Sequence, residues 1–202
     1  EAVSWGKRLA LDYQPLVMLL KKRLTAKDKE KIQRWASLYA VRLEERAGLD
    51  VVYDGEQQRS EMYQYPITHS EGFVFRGSVR SFDNKYYQKA ACIGRPKLKG
   101  PWHLDEFLNL KKITKKRIKI PITGAYTIAT WSFDEYYTQK TGLGSVRALK
   151  GKEKAKRAFV LDIARNLIRP NIKALLKAGA TWIQIDEPAA TTIPQETPLF
   201  VE

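Results

Sequence analysis

The chain has 202 residues, of which 44% are hydrophobic and 11% are aromatic, and its formal net charge is +14. These values are typical of one globular domain with a substantial core, and they exclude a disordered chain and two domains of ordinary size. No segment approaches the roughly 20 apolar residues that a membrane helix needs. The positive charge favours an acidic ligand, nucleic acid or a charged surface, and it does not choose among them.

A single cysteine, Cys92, excludes an internal disulfide bond and a cysteine-rich zinc module within this chain. The first residues lack the basic and then apolar order of a secretory signal, so we expect a cytoplasmic protein. Because the chain opens on Glu1 and not on Met, we also expect its natural N-terminus to lie further upstream.

The first predicted helix has recognisable ends. Thr25, followed three residues later by Asp28, resembles a capping box with Asp in place of the usual Glu. Apolar side chains then recur at steps of three or four residues: Ile32, Trp35, Tyr39 and Leu43. The helix ends before Gly48, at a position that favours a left-handed residue. A short strand follows, with Asp54 and Glu56 at its end.

The middle of the chain contains three further predicted elements. Alternating apolar residues from Gly72 to Phe82 indicate a strand or a hairpin. The segment 104–114 is predicted to be a helix, and 117–123 a strand that Gly124 stops.

A second long helix is predicted over about 152–177, although Pro170 should break or kink it. Gly179 then precedes another strand, which ends in Asp186 and Glu187. The order of helix, glycine, strand and carboxylates therefore occurs twice, and α/β proteins place polar chemistry at the carboxyl ends of parallel strands in this way. About four strands, each tied to a helix, predict part of a larger closed sheet.

Three motifs lie at the ends of predicted strands: Asp54-Gly55-Glu56-Gln57-Gln58-Arg59, Ile122-Thr123-Gly124-Ala125-Tyr126-Thr127-Ile128-Ala129-Thr130-Trp131-Ser132-Phe133 and Ile183-Gln184-Ile185-Asp186-Glu187-Pro188-Ala189. Together they resemble the catalytic domain of cobalamin-independent methionine synthase in its compact archaeal-type form. The resemblance covers roughly 31–190. It implies an α/β fold of the (β/α)8 TIM-barrel type, with residues 1–202 forming a single partial barrel. The first strand and the C-terminal half with the zinc ligands would be absent from it.

The resemblance implies a zinc-dependent S-methyltransferase that moves a methyl group from a methylated pterin-type donor to zinc-bound homocysteine, giving methionine. Glu56 and Asp186 match the positions that bind the homocysteine amino group, and Trp131 matches a tryptophan that flanks the donor. Asn84 and Lys85 occupy the place of a Ser-Arg pair that contacts the donor, although neither residue is identical. The structural alternatives are that Glu56 caps a turn, that Asp186 caps the next helix and that Trp131 packs beneath a loop.

Zinc is the implied cofactor, and the family's zinc ligands would lie outside this chain segment. His69, Cys92 and His103 lack the close spacing of metal ligands, so we expect surface or loop histidines and a buried cysteine. We therefore expect no metal ligand in this segment, which should be inactive by itself.

Two alternatives stay open for the function. One keeps the same chemistry with a corrinoid or another methyl donor, and the other is a non-catalytic basic protein that binds RNA or an acidic partner. The basic residues form two groups: Lys111, Lys112, Lys115, Lys116, Arg117 and Lys119, then Arg147, Lys150, Lys152, Lys154, Lys156 and Arg157. Since cations offset a helix C-terminus and also cover solvated faces, and no RNA-binding motif accompanies them, nucleic acid is the less favoured partner.

Overall fold

A computed structural model describes residues 23–59, 61–80, 86–141 and 146–201. The helices are α1 (Ala26–Arg46), α2 (Gln64–Thr68), α3 (Leu104–Ile113), α4 (Ala125–Trp131), α5 (Val146–Ile163), α6 (Arg169–Lys177) and α7 (Thr197–Val201). The strands are β1 (Val51–Val52), β2 (Ser70–Arg80), β3 (Tyr86–Leu98), β4 (Arg117–Thr123), β5 (Phe133–Asp134) and β6 (Trp182–Asp186). Short 3-10 turns cover Thr138–Thr141, Pro188–Thr191 and Pro194–Glu196.

The described residues fall into two compact units. Unit 1 contains the described residues up to Arg59, together with 103–120 and 178–182. Unit 2 contains all the other described residues. The prediction of a single domain over 1–202 stays a prediction.

Unit 1 is built on α1, whose beginning confirms the predicted capping box. The Asp28 backbone N–H donates to Thr25 Oγ1 at 3.2 Å, and the Thr25 backbone N–H donates to Asp28 Oδ2 at 3.1 Å. Gly48 follows the helix with a φ of +82°, a left-handed conformation that glycine adopts without a steric penalty. Helix α1 packs against α3, which buries Phe107 and Leu110.

Strand β4 lies between β1 and β6 in a three-stranded sheet. Strands β1 and β4 run parallel, with Val51 opposite Arg117 and Val52 opposite Ile118. Most of β4 is buried, in the nearly continuous pattern of a parallel strand covered on both faces. The sequence predicted the bounds of β4 correctly, including its end before Gly124.

Unit 2 contains a second sheet, in the order β2–β3–β5. Strands β2 and β3 pair antiparallel, with Phe73 opposite Cys92 and Val79 opposite Tyr87, whereas β3 and β5 are parallel. The prediction that every strand is tied to a helix is therefore wrong for β2 and β3. Only residues 81–85 separate these strands in the sequence, and so short a connection favours a direct antiparallel partner over a helical crossover.

The second long helix is interrupted, as Pro170 predicted, but by a π-helical turn and not by a break. Helix α5 begins at Val146, earlier than the predicted residue 152, and the π turn spans Ala164–Ile168. Pro170 then lies in the first turn of α6. Proline has no N–H to donate, and its ring clashes with the carbonyl group four residues earlier in a regular α-helix. The π turn Ala164–Ile168 is wider than an α-helical turn, and it contains the carbonyl group with which the Pro170 ring would otherwise clash.

The α/β class of the fold is confirmed by these elements. Within the two described units neither sheet closes on itself, so the partial barrel stays a prediction. None of the described helices combines the length and the hydrophobicity that crossing a membrane would require.

Candidate functional site

The segment after β1 places Glu56 in an unusual backbone conformation. Gly55 has a φ of +69° and Glu56 a φ of +61°, which is left-handed for a residue that carries a Cβ atom. Such a conformation costs roughly 1–2 kcal/mol for residues other than glycine. The Glu56 backbone N–H donates to Asp54 Oδ1 at 3.0 Å, and this bond helps to hold the turn.

Asp54 is the buried support of this turn. Its side chain is fully buried, and Ser37 of α1 donates a hydrogen bond to Oδ2 at 2.9 Å. Burial, and secondarily the negative charge of Glu106, raise the pKa of Asp54 to about 6. Asp54 is therefore a structural carboxyl group, because it accepts bonds from its own unit and has no exposed surface.

Arg59 joins Glu56 to a buried carboxylate of α3. Its Nε and Nη2 atoms donate to Glu106 Oε2 and Oε1 at 3.0 and 2.9 Å. Its third nitrogen, Nη1, donates to Glu56 Oε1 at 3.0 Å. The side chains of Arg59 and Glu106 are 3% exposed, whereas that of Glu56 is 36% exposed. Glu56 thus lies at the boundary between a buried ion pair and solvent, and its Oε2 atom accepts no hydrogen bond from the residues described.

His103 belongs to the same network. It lies in the turn before α3, in agreement with the expectation of a surface or loop histidine, but it is buried and not at the surface. It is 3% exposed, and its Nδ1 atom lies 3.4 Å from Glu106 Oε2. Burial lowers the pKa of His103, so the ring is neutral near neutral pH. Burial alone would raise the pKa of Glu106, but His103 and Arg59 outweigh it and lower that pKa, so Glu106 is ionised.

In unit 2, the segment that follows β6 is bound to the start of α4. The Gly124 backbone N–H donates to the Asp186 carbonyl oxygen at 2.8 Å. The Glu187 carboxylate accepts from the backbone N–H groups of Tyr126 at 3.0 Å and Thr127 at 2.7 Å. An anion at these groups satisfies unpaired helix donors and matches the helix dipole. Glu187 therefore caps α4, which precedes it in the sequence. The 3-10 turn that follows Asp186, Pro188–Thr191, has no side-chain cap, so the structural alternative that Asp186 caps the next helix is wrong.

The Asp186 side chain is half-buried, and Gln184 Nε2 donates to its Oδ1 atom at 2.6 Å. Its second oxygen, Oδ2, accepts no hydrogen bond from the described part of the chain. Like Glu56, Asp186 has one oxygen that is held by a neighbour and one that is available to another donor. Ionised carboxylates only accept hydrogen bonds, so such an oxygen suits an ammonium group.

Trp131 is the last residue of α4 and joins an aromatic cluster in unit 2. Its ring centroid lies 6.2 Å from that of Tyr63, in an edge-to-face arrangement, and 6.2 Å from that of Tyr87. Tyr63 is fully buried and its hydroxyl group lies 2.9 Å from Ser132 Oγ. Trp131 itself is half-buried, so one part of the ring packs on the cluster and another part faces outward. Helix α4 connects this ring to the Asp186 segment over about 10 Å, at 1.5 Å per residue.

The predicted site residues are thus distributed over the two units. Glu56 lies in unit 1, and Asp186 and Trp131 lie in unit 2. Asn84 and Lys85 lie outside the described residues. The pairing of Arg59 with Glu56 was not predicted, although Arg59 lies within the first motif. The role of Glu106 was not predicted either, since 47 positions of sequence separate it from Arg59.

The three candidate metal ligands do not form a metal site. His69 is exposed, and its Nδ1 donates to the Tyr65 carbonyl oxygen at 2.8 Å. Cys92 is buried as expected; burial raises the pKa of its thiol to about 12, and the thiol donates to the Gly94 carbonyl oxygen. Across the described residues there is no group of three or more His, Cys, Asp or Glu side chains that could hold a metal ion.

The basic residues behave largely as the sequence indicated. Lys111 and Lys112 lie in the last turn of α3, where cations offset the helix dipole. Lys152, Lys154 and Arg157 are exposed on α5. Lys156 is different, because it forms an ion pair with Glu196, which also accepts a hydrogen bond from the Tyr126 hydroxyl group.

Residues 13–197 match the model of a family described as the catalytic domain of cobalamin-independent synthase. A methionine synthase from Pyrococcus furiosus is 41% identical over 181 residues, which are 89% of this chain and 48% of that protein. A methionine synthase from Thermococcus kodakarensis is 42% identical over 181 residues, covering 89% of this chain and 49% of that protein. The chain spans about half the length of these curated relatives.

A solved structure shares the fold of the chain. It is a B12-independent methionine synthase from Shewanella sp. W3-18-1 in complex with selenomethionine. The TM-score is 0.69 at 23% sequence identity, and the match covers 87% of this chain and 47% of that structure. At this identity the likeness concerns the fold, and it agrees with the α/β class found above.

Proposed function

The chain belongs to the cobalamin-independent methionine synthase family, and we propose that it supplies part of a (β/α)8-barrel enzyme that methylates homocysteine to give methionine. The observation that carries this proposal is the family match over residues 13–197. Because the chain spans about half the length of its curated relatives, the proposal concerns what these residues contribute, namely binding of the amino acid and of the methyl donor.

Glu56 and Asp186 are proposed to bind the amino group of homocysteine. Each carboxylate has one oxygen fixed by a neighbour, Arg59 for Glu56 and Gln184 for Asp186. An ammonium group donates up to three hydrogen bonds, and bonds between charged partners are about twice as strong as neutral ones. The fixed oxygen limits the rotation of each carboxylate, so less side-chain freedom is lost when the ligand binds.

Trp131 is proposed to border the methyl donor, for which a methylated pterin is the best candidate. A flat heterocycle buries apolar area on an indole ring and stacks favourably on it. The half-exposed position of Trp131 on the Tyr63–Tyr87 cluster supports this role, because the cluster holds the ring while leaving part of it open. Asn84 and Lys85 are proposed as further donor contacts by their position in the sequence alone.

The zinc ion implied for the family does not fit the described residues of this chain. The described residues hold no group of three or more His, Cys, Asp or Glu side chains that could bind a metal ion. We therefore propose that any zinc ligands belong to residues beyond this chain segment, and we assign no chemical step through zinc to the residues above.

Titration calorimetry of L-homocysteine into the purified chain tests the binding role. Glu56→Gln and Asp186→Asn keep the size of each side chain and remove its charge. Each variant should weaken binding about 10- to 100-fold, since a hydrogen bond to a charged group contributes about 1.5–3 kcal/mol. Both variants should retain the melting temperature of the parent within a few degrees.

Glu71→Gln is the matched control, because Glu71 is an exposed glutamate whose only described ion pair, with Lys97, is long at 3.7 Å. This variant should bind homocysteine like the parent. If Asp186→Asn and Glu56→Gln also bind like the parent, their assignment to the amino group is wrong. A parent chain that releases no heat with millimolar homocysteine would contradict a binding role for this chain.

A further inference from the structure

The guanidinium group of Arg59 is held in a way that fixes the direction of its third nitrogen. Two nitrogens, Nε and Nη2, form a bidentate pair with the Glu106 carboxylate at 3.0 and 2.9 Å. A guanidinium group is planar, so fixing two of its donors also fixes the plane and the outward direction of the third. That third nitrogen, Nη1, donates to Glu56 Oε1.

The buried carboxylate of Glu106 holds the Arg59 guanidinium group in place. Glu106 lies in the first turn of α3 with a side chain that is 3% exposed, and His103 approaches the same carboxylate. If Arg59 moved away, a buried carboxylate would lose its partner, which is strongly unfavourable. The network also has a favourable charge balance for a cationic ligand. Glu106 neutralises Arg59, so the negative charge of Glu56 is left over.

The backbone conformation of Glu56 also indicates that this residue is held in one fixed position. Its φ of +61° would suit glycine, and yet the position carries a long charged side chain. Strained backbone conformations of this kind persist when the surroundings over-determine them, and they concentrate at binding and catalytic sites. Here Asp54 holds the Glu56 backbone N–H and Arg59 holds its side chain, so both parts of the residue are fixed.

We infer that Arg59, anchored on Glu106, is a positioning residue that orients Glu56 so that its Oε2 atom, which accepts no hydrogen bond from the described residues, meets the ammonium group of the bound amino acid. The inference rests on the function proposed above for Glu56 and extends it to two residues that touch no ligand. Arg59 contributes selectivity for ligands that carry a primary ammonium group, since it acts only through the carboxylate that recognises this group.

Arg59→Lys tests the inference, because lysine keeps the charge but cannot form a bidentate pair with Glu106 and reach Glu56 together. Two ligands are compared by calorimetry: L-homocysteine, and 4-sulfanylbutanoate, which is homocysteine without its amino group. Arg59→Lys should weaken homocysteine binding about tenfold and 4-sulfanylbutanoate binding less than about twofold. In a Glu56→Gln background the same substitution should change homocysteine affinity less than about twofold, because the two residues act as one unit.

Arg76→Lys is the matched control, since Arg76 also forms a bidentate pair, with Glu135, but in unit 2 and on an exposed surface. It should leave both affinities unchanged. Glu106→Gln provides a second variant that keeps the shape of the anchor. It should likewise weaken homocysteine binding and spare 4-sulfanylbutanoate.

The outcomes distinguish the positioning role of Arg59 from the binding role of Glu56. If Arg59→Lys and Glu106→Gln weaken both ligands equally, their role is structural and the inference is overturned. If both variants bind homocysteine like the parent while Glu56→Gln does not, the inference is also overturned and the proposed function of Glu56 stands. If Glu56→Gln itself has no effect, the proposed function of Glu56 fails, and the inference fails with it.

Discussion

Gly124 is the position at which a single methyl group should disturb the candidate site most directly. A Cβ atom added there would lie 2.1 Å from Glu187 Oε1 and 2.2 Å from its Cδ atom, so the carboxylate would have to leave the N-terminus of α4. The φ of Gly124 is −77°, which any residue adopts, so the cost of Gly124→Ala comes from this contact and not from backbone strain.

The magnitude follows from the bonds that Glu187 makes. Its oxygens accept from the backbone N–H groups of Tyr126 and Thr127, and loss of a capping interaction costs about 0.5–2 kcal/mol. Replacing glycine by alanine at an N-cap adds a cost on the order of 0.5–1 kcal/mol. We therefore expect Gly124→Ala to lower the free energy of unfolding by about 1–3 kcal/mol.

Urea unfolding of four proteins measures this cost and its cause: the parent, Gly124→Ala, Glu187→Ala and the double variant. If the clash is the cause, Gly124→Ala should cost no more than about 1 kcal/mol once Glu187 is shortened, because the two residues are in contact and their effects are not additive. An equal cost in both backgrounds, or no cost in the parent, would refute the reasoning.

Trp131→Ala should weaken binding of a methylated pterin at least about tenfold, through lost stacking and apolar burial, while homocysteine affinity stays nearly unchanged. A loss of about 3–5 kcal/mol in stability with both affinities failing together, measured by urea unfolding beside calorimetry, would instead identify a core residue. Because the pKa of Asp54 is raised from its usual 3.8 to about 6, its protonated form stabilises the fold, and this contribution declines as the pH rises from about 4 to above 6. Asp54→Asn should remove about 2–3 kcal/mol of this pH-dependent loss of stability, at about 1.4 kcal/mol per pKa unit. The measurement is the free energy of unfolding between pH 4 and pH 7. A variant whose unfolding free energy changes with pH as steeply as that of the parent would contradict the prediction.

The features that the sequence predicted correctly are those set by neighbouring residues. The Thr25–Asp28 capping box spans three positions, and the glycines at 48 and 179 with positive φ follow directly from the end of a helix. Strand β4 was predicted because its buried run ends at Gly124, where α4 begins.

The features that were missed depend on residues far apart in the sequence. Arg59 and Glu106 meet only because β1 and α3 belong to one unit, and no local pattern indicates that pairing. His103 is polar and stands in a turn, which favours an exposed position, but its contact with Glu106 makes burial acceptable. The capping role of Glu187 was not predicted, because its contact with the Tyr126 backbone N–H spans 61 positions of sequence.

The π-helical turn before Pro170 has a consequence for the rotational phase of the long helix. Its fully buried side chains recur at a strict four-residue interval: Phe159, Ile163, Leu167, Asn171 and Leu175. In a regular α-helix of 3.6 residues per turn, each four-residue step rotates the stripe by about 40°, so four steps would carry it about 160° around the axis. Leu175 would then point nearly opposite to Phe159. A turn that holds more residues rotates the stripe back, so the π turn and the four-residue interval belong together. Removing one residue from Ala164–Ile168 would leave about 15 steps from Phe159 to Leu175, which a regular α-helix rotates by only about 60°, so the π turn should then relax to an α-helical turn with the buried stripe kept on one side.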